Sequence, residues 1–270
     1  MMSDVPGESS PAPSALSALS ALPAGPDHFL EMTELLRAAW EGQPFVSLPQ
    51  VWAQLAGLGV GSLSSDAELS LALTHLSELH PCSVTAAGAG VTVLVETCEP
   101  VRRVTFTADG MLIARSGQMQ PVVWPVGRVL SSRPGGELAV EDRSGFVHSL
   151  GRVVRMTVLE KQWELFGDTA GDTAGGTAGG TSSAVDLSGC SRSALGGAVF
   201  VGVLDSGDVV VCDRAIQVVT AQRRSASVEV LRGWQRVVAG RCGEPVVVRL
   251  AGGEDRQVGA GVLTAMWRVE

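Results

Sequence analysis

Residues 121–140 read PVVWPVGRVLSSRPGGELAV, and residues 229–248 read EVLRGWQRVVAGRCGEPVVV. At a constant offset Val122 falls on Val230, Arg128 on Arg236, Val129 on Val237, Arg133 on Arg241, Gly135 on Gly243 and Val140 on Val248. After a two-residue insertion Gly151 falls on Gly261, Met156 on Met266 and Glu160 on Glu270. Identities held in step over such a span point to an internal repeat. The repeated runs are short and valine-rich, and β-branched side chains suit the pleated, half-buried surface of a sheet.

Working outward, the repeat predicts two related antiparallel β-rich modules, at 98–166 and 185–270, each a small barrel or a bent sheet of pleckstrin-homology-like type. Strand-like runs occupy 91–95, 104–107, 111–113, 122–124, 129–130, 138–140, 146–147 and 153–158 in the first half. In the second they occupy 199–203, 209–211, 216–219, 228–231, 237–238, 246–250 and 262–267. Asp109 with Gly110, and Ser206 with Gly207, read as hairpin turns between apolar runs. Between the modules, residues 167–183 read GDTAGDTAGGTAGGTSS, and the tract 167–184 is expected to be a flexible Gly/Thr/Ala linker.

Upstream, residues 1–27 repeat Ser-Ala-Leu around prolines and are expected to form a disordered arm. From Asp27, as N-cap, Phe29, Met32, Leu36, Ala39 and Trp40 recur at helical spacing up to Gly42. Ser47 followed by Leu48 and Pro49 opens a second helix carrying Val51, Trp52, Leu55 and Leu58. Ser65 with Glu68 opens a third, with Leu69, 71–73 and Leu76, which stops at His80 and Pro81. The α+β chain thus starts with a three-helix, winged-helix-like module at 28–97. In that geometry the third helix would enter a DNA groove, but it carries Asp66, Glu68 and Glu78 and no Arg or Lys.

Charge and cysteine usage narrow the function classes. A net charge of −8 and a pI near 5.1 repel phosphates, which disfavours nucleic acid or an anionic membrane as a partner. The first 27 residues lack the basic start and apolar run of a secretory signal, and no run approaches a bilayer span of about 20 apolar residues. The five cysteines, Cys82, Cys98, Cys190, Cys212 and Cys242, are scattered without a CxxC pair, so reduced thiols in a cytoplasmic protein are expected.

No catalytic, metal or cofactor constellation emerges. The glycines at 57, 59 and 61 lack dinucleotide-loop spacing, and His28, His75, His80 and His148 show no HExxH or HxH pattern. His148 and Ser149 are adjacent in a strand and point to opposite faces. Candidate contacts for an anion or partner are the basic doublets Arg102–Arg103 and Arg223–Arg224. Candidate partner-contact aromatics are Trp163 and Trp234, while Trp124 and Trp267 sit in apolar strand patterns and are read as core.

The pattern of Leu69, Leu73 and Leu76, then His80 and Pro81, then strands around Asp109 and Gly110, is similar to the secretion-specific chaperones of type VII systems. It spans less than a third of the chain and implies a chaperone. The sequence expectation is therefore a non-catalytic cytoplasmic interaction protein, an adaptor or chaperone-like module, whose partner is another protein. The alternative expectation is a winged-helix DNA-binding regulator whose β modules sense a ligand or oligomerise.

Overall fold

The computed structural model describes residues 26–84, 90–117, 119–159, 185–221 and 226–270. Residues 1–25 of the expected arm, the linker at 167–184, Glu160, Trp163, Arg223 and Arg224 lie outside the described residues. The last two residues assigned to the arm instead open the first helix.

Three helices come first: α1 (Pro26–Glu41), α2 (Leu48–Gly57) and α3 (Asp66–Leu79). The expected caps form at the second and third, because each lets a side chain satisfy a backbone group that the helix itself leaves free. The Gln50 side-chain oxygen accepts from the Ser47 backbone N–H at 2.8 Å, and the Glu68 carboxylate accepts from that of Ser65 at 2.7 Å. The chain then becomes all β, with β1 (Thr92–Cys98), β2 (Arg102–Phe106), β3 (Met111–Arg115), β4 (Val122–Ser131), β5 (Glu137–Asp142) and β6 (Val147–Leu159). These six close into an antiparallel barrel in sequence order, with β6 returning to β1. Most of β1 falls within the 28–97 span expected to be the helical module, but its ladders to β2 and β6 make it a barrel strand.

The second unit holds β7 (Phe200–Leu204), β8 (Val209–Cys212), β9 (Ile216–Ala221), β10 (Ala226–Leu231), β11 (Trp234–Ala239), β12 (Val247–Leu250), β13 (Asp255–Gln257) and β14 (Leu263–Arg268). They form a five-stranded sheet, β10-β9-β8-β7-β14, and a three-stranded sheet, β11-β12-β13.

The two units share one hydrogen-bonded frame. In β4 and β5, Val126 pairs with Asp142, Arg128 with Glu141, Val129 with Val140 and Ser131 with Ala139, with two register shifts. In β11 and β12, Trp234 pairs with Leu250, Arg236 with Arg249, Val237 with Val248 and Ala239 with Val247, with shifts at the matching places. The second ladder is the first displaced by 108 positions, 126 to 234 and 142 to 250. The following turn repeats as well. Gly135 and Gly243 take φ of 80° and 93°, and their N–H groups donate to Val153 O and Leu263 O at 2.8 Å. That backbone region is closed to most side chains, so glycine is required at both places. Val140 with Val248, and Met156 with Met266, are buried in both cores.

Among the described residues, the sequence alignment slips at Val122. Ala114 pairs with Val122 in the first unit and Val218 with Glu229 in the second, so the ladder matches Val122 to Glu229 and not to Val230. One residue, Pro125, lies between Trp124 and Val126, but two, Arg232 and Gly233, lie between Leu231 and Trp234. The second unit therefore has one extra residue at Arg232 or Gly233, where β10 ends and β11 begins.

The expected separation of the β modules gives way to a shared apolar seam. Ile113, projecting from the outside of β3, packs among Val199, Val201, Val209, Val211, Val219, Trp267 and Val269, flanked by Met111 and Val123. This explains why β8 is apolar throughout instead of alternating: Val210 and Cys212 fill the core of their own unit, while Val209 and Val211 fill the seam. Polar links ring the apolar contact. The Trp267 indole donates to both Asp109 oxygens at 3.1 and 2.9 Å, and Thr105 Oγ1 donates to Val269 O at 3.0 Å. Arg115 and Arg103 both pair with Glu270. Arg115 is held down to about 10, first by its own burial and then by the neighbouring Arg103, and it remains a cation at neutral pH.

The seam yields a stability prediction. Ile113→Ala leaves a void between two covered faces and is expected to cost about 3 kcal/mol, read as a lower urea midpoint. An unchanged midpoint would mean that the two units do not pack together in solution.

Candidate interaction surface

The helices present an unusual division of apolar residues. Their core is aliphatic, formed by Ala39, Val51, Leu55, Ala72, Leu73 and Leu76, with Met32, Leu35, Leu36 and Leu69 packed against it. All four aromatic residues of this module stay outside: Phe29 is 71% exposed, Phe45 60%, Trp52 45% and Trp40 37%. Leu30, Leu58, Leu63 and Leu71 are exposed too. Phe29, Trp40 and Trp52 fall at helical spacing in the apolar stripes of the sequence, yet they do not enter this core. Successive helical residues are rotated by about 100°, which turns Trp40 and Trp52 away from the inward-facing Ala39 and Val51 that precede them.

The helices hold this surface in a fixed frame. His28 Nε2 lies 3.0 Å from Asp66 Oδ2 near the starts of α1 and α3. At their other ends a Cβ on Gly42 would fall 1.8 Å from His80 O. The two helices therefore run side by side in the same direction, and Gly42 is small because the chains touch there. Around the aromatics the charge is one-sided. Residues 26–84 carry Asp27, Glu31, Glu34, Glu41, Asp66, Glu68 and Glu78 against a single cation, Arg37, for a net −6 within the chain's −8. Arg37 itself is engaged by Glu34 and Glu41, at 2.6 and 2.5 Å.

The module is docked to the first barrel through residues just after α3. Buried His80 places Nδ1 2.9 Å from Met156 O, so the neutral ring donates from Nδ1. Val84 joins the barrel core, and its backbone N–H and C=O both bond the Ser132 hydroxyl, at 2.9 and 3.2 Å. The proximity of His75, His80 and Cys82 in sequence does not make a site: His80 is occupied by the barrel and Cys82 is exposed. Among the described residues, no three His, Cys, Asp or Glu side chains converge in a way that could hold a metal ion. No helix among them is long and apolar enough to cross a membrane.

The other candidate residues fall in different places. Arg103 belongs to the seam, 3.1 Å from Glu270 and 3.9 Å from Glu96. Arg102 reaches Ser149 O at 3.4 Å. Arg223, Arg224 and Trp163 lie outside the described residues. Trp234 is 1% exposed, packed in the core of the second unit, and its indole N–H has no partner among the described residues. Trp267 is buried as expected, although in the seam. Trp124 is half-buried, its ring centre 4.6 Å from that of His148.

The second unit also has an open groove of about 720 Å³, absent from the sequence reading. It is lined by Arg192, Ser193, Arg214, Gly233, Trp234 and Gln235, among others. The extra residue between β10 and β11 was the one available signal, and the slip at Val122 conceals it. Comparison with protein-family models, curated proteins and solved structures finds no match.

His80 carries a pH prediction. Burial pushes its pKa down and the charge of Arg155 acts the same way, against the opposing hydrogen bond to Met156 O. The unfolded chain takes up a proton on this ring near the ordinary value of about 6.5, whereas the folded ring takes it up only at lower pH. Stability is therefore full above that value and falls as pH drops through it toward the lower folded pKa. His80→Gln should flatten the part of the profile that falls as pH drops below about 6.5, measured by urea unfolding. An equally steep decline in the variant assigns the acid sensitivity elsewhere.

Proposed function

We propose that this chain is a non-catalytic protein-interaction module, adaptor or chaperone-like, whose helices dock a partner protein on their exposed aromatic surface. The observation that carries this reading is that all four aromatics of α1, α2 and the loop between them are outside a core that is wholly aliphatic. Isolated exposed apolar residues are ordinary, but a set of Trp and Phe is the composition from which interface anchors are drawn. The net −6 of residues 26–84 favours a partner with an apolar centre and a basic rim. The two β units, fastened along the seam, act as the rigid base to which His80 and Val84 moor the helices.

The DNA-binding regulator remains a second reading because three helices precede antiparallel strands. Against it stand the acidic exposed residues of α3 and the closure of β1 to β6 on themselves, which leaves no free β wing after α3. A type VII secretion chaperone would be one form of the first reading, since it too binds a protein client.

Affinity purification of the full chain from its native cell tests the proposal. Wild type should retain a stoichiometric partner in moderate salt. Phe29→Ser with Trp52→Ser should weaken it at least tenfold, whereas Phe146→Ser, exposed on the first barrel, should not. Equal retention by all variants overturns the assignment of the surface, and salt-sensitive binding of duplex DNA without any protein partner favours the regulator.

A further inference from the structure

The repeated frame makes the two β units an internal control for each other, so a departure confined to one unit marks something that the fold does not require. In the first unit β4 runs unbroken past the β2–β3 turn, and the Val126 N–H donates to Gly110 O at 2.9 Å, extending the β3–β4 ladder. The matching strand of the second unit is split into β10 and β11 by its extra residue, with Gly233 at φ 83°. Four separate stretches of chain then face an open space: Arg192 and Ser193 ahead of β7, Arg214 in the β8–β9 turn, Gly233 to Gln235 at the break, and Ala251 after β12.

The chemistry of this lining is specific. Arg241, Arg249 and Arg256 of the same unit are all matched with carboxylates, at 3.2, 2.7 and 2.5 Å. Arg236 donates to Gly189 O at 2.9 Å. The Arg192 and Arg214 guanidinium groups have no such partner among the described residues. The nearest acid in sequence, Asp213, turns its carboxylate back to the Ala215 N–H at 2.6 Å. The Ser193 hydroxyl, 3.1 Å from that of Ser191, lies beside them on the same wall. The groove is a shallow, open depression of about 720 Å³ that leaves much of a ligand in water, so the charged group would supply the contact.

We propose that this groove is a binding site for a small phosphate-bearing organic anion, its charged group held by Arg192 and Arg214. Guanidinium forks match the oxygens of a phosphate, and two of them line this one groove on a chain of net negative charge. The site is separate from the helical surface, and neither depends on the other.

Calorimetric titration of the full chain tests the site, with inorganic pyrophosphate and citrate as probes in buffers of matched ionic strength, about 0.15 M. Wild type should bind pyrophosphate saturably. Arg192→Ala and Arg214→Ala should each weaken it at least tenfold, while Arg128→Ala, an exposed arginine paired with Glu141 on the first barrel, should leave it unchanged. Circular dichroism will establish that the variants are folded. Pyrophosphate binding more tightly than citrate supports a phosphate ligand; citrate binding as tightly or more tightly overturns that assignment. Absence of saturable binding, indifference to both groove substitutions, or an equal loss with Arg128→Ala overturns the site itself.

Discussion

The apolar contact between the outside of β3 and the outside of the five-stranded sheet is the constraint on which the rest of this structure hangs. Without it, β8 would expose Val209 and Val211, β7 would expose Val201, and the outer face of β3 would carry Ile113 into water. Burying each such side chain contributes about 1.5–3 kcal/mol, so the seam is a principal source of stability, not a decoration on two finished barrels. Its polar border adds direction. The indole of Trp267 on Asp109 and the pairs from Arg103 and Arg115 to Glu270 set the angle at which the units meet, which nondirectional burial cannot do.

Much of this architecture was legible in the sequence. The glycines at 135 and 243 marked equivalent turns because both need positive φ, and Val140 with Val248 marked equivalent core positions. Ser47 and Ser65 marked helix starts because their motifs satisfy backbone groups locally. The seam was not legible, because a valine run covered on one face and a run covered on both differ only in the loss of alternation, and β8 has four residues in which to show it. Trp40 and Trp52 were misread for a related reason: each neighbours a true core residue, and a helical stripe is wide enough to include both. The groove was hidden by a chance identity, since Val230 aligns with Val122 in sequence but not in the ladder.

The repeat also separates what is structural from what is particular. Bulges in the β4–β5 and β11–β12 ladders recur at the same places, so they belong to the geometry of bending short strands around a small core. The plug ahead of each unit recurs as well. Val84 docks on Ser132, and Leu187 docks on Gly240, 108 positions beyond Ser132, by donating its N–H to Gly240 O at 3.2 Å. What does not recur is the acidic helical module with its outward aromatics and the break at Gly233.

The seam also has a timetable. Its two halves are far apart along the chain, Ile113 and Met111 on one side and 199–269 on the other, so the ribosome releases them at different moments. At about 5–20 residues per second the first barrel can close while its partner sheet is still being translated. In that interval Met111, Ile113 and Val123 form a bare greasy strip on a nascent chain, the condition that chaperones recognise and that favours misassembly between neighbouring ribosomes. The long glycine-rich tract between the halves lengthens that interval, and Trp267 and Val269, which finally cover part of the strip, emerge well after the valines of β7 and β8.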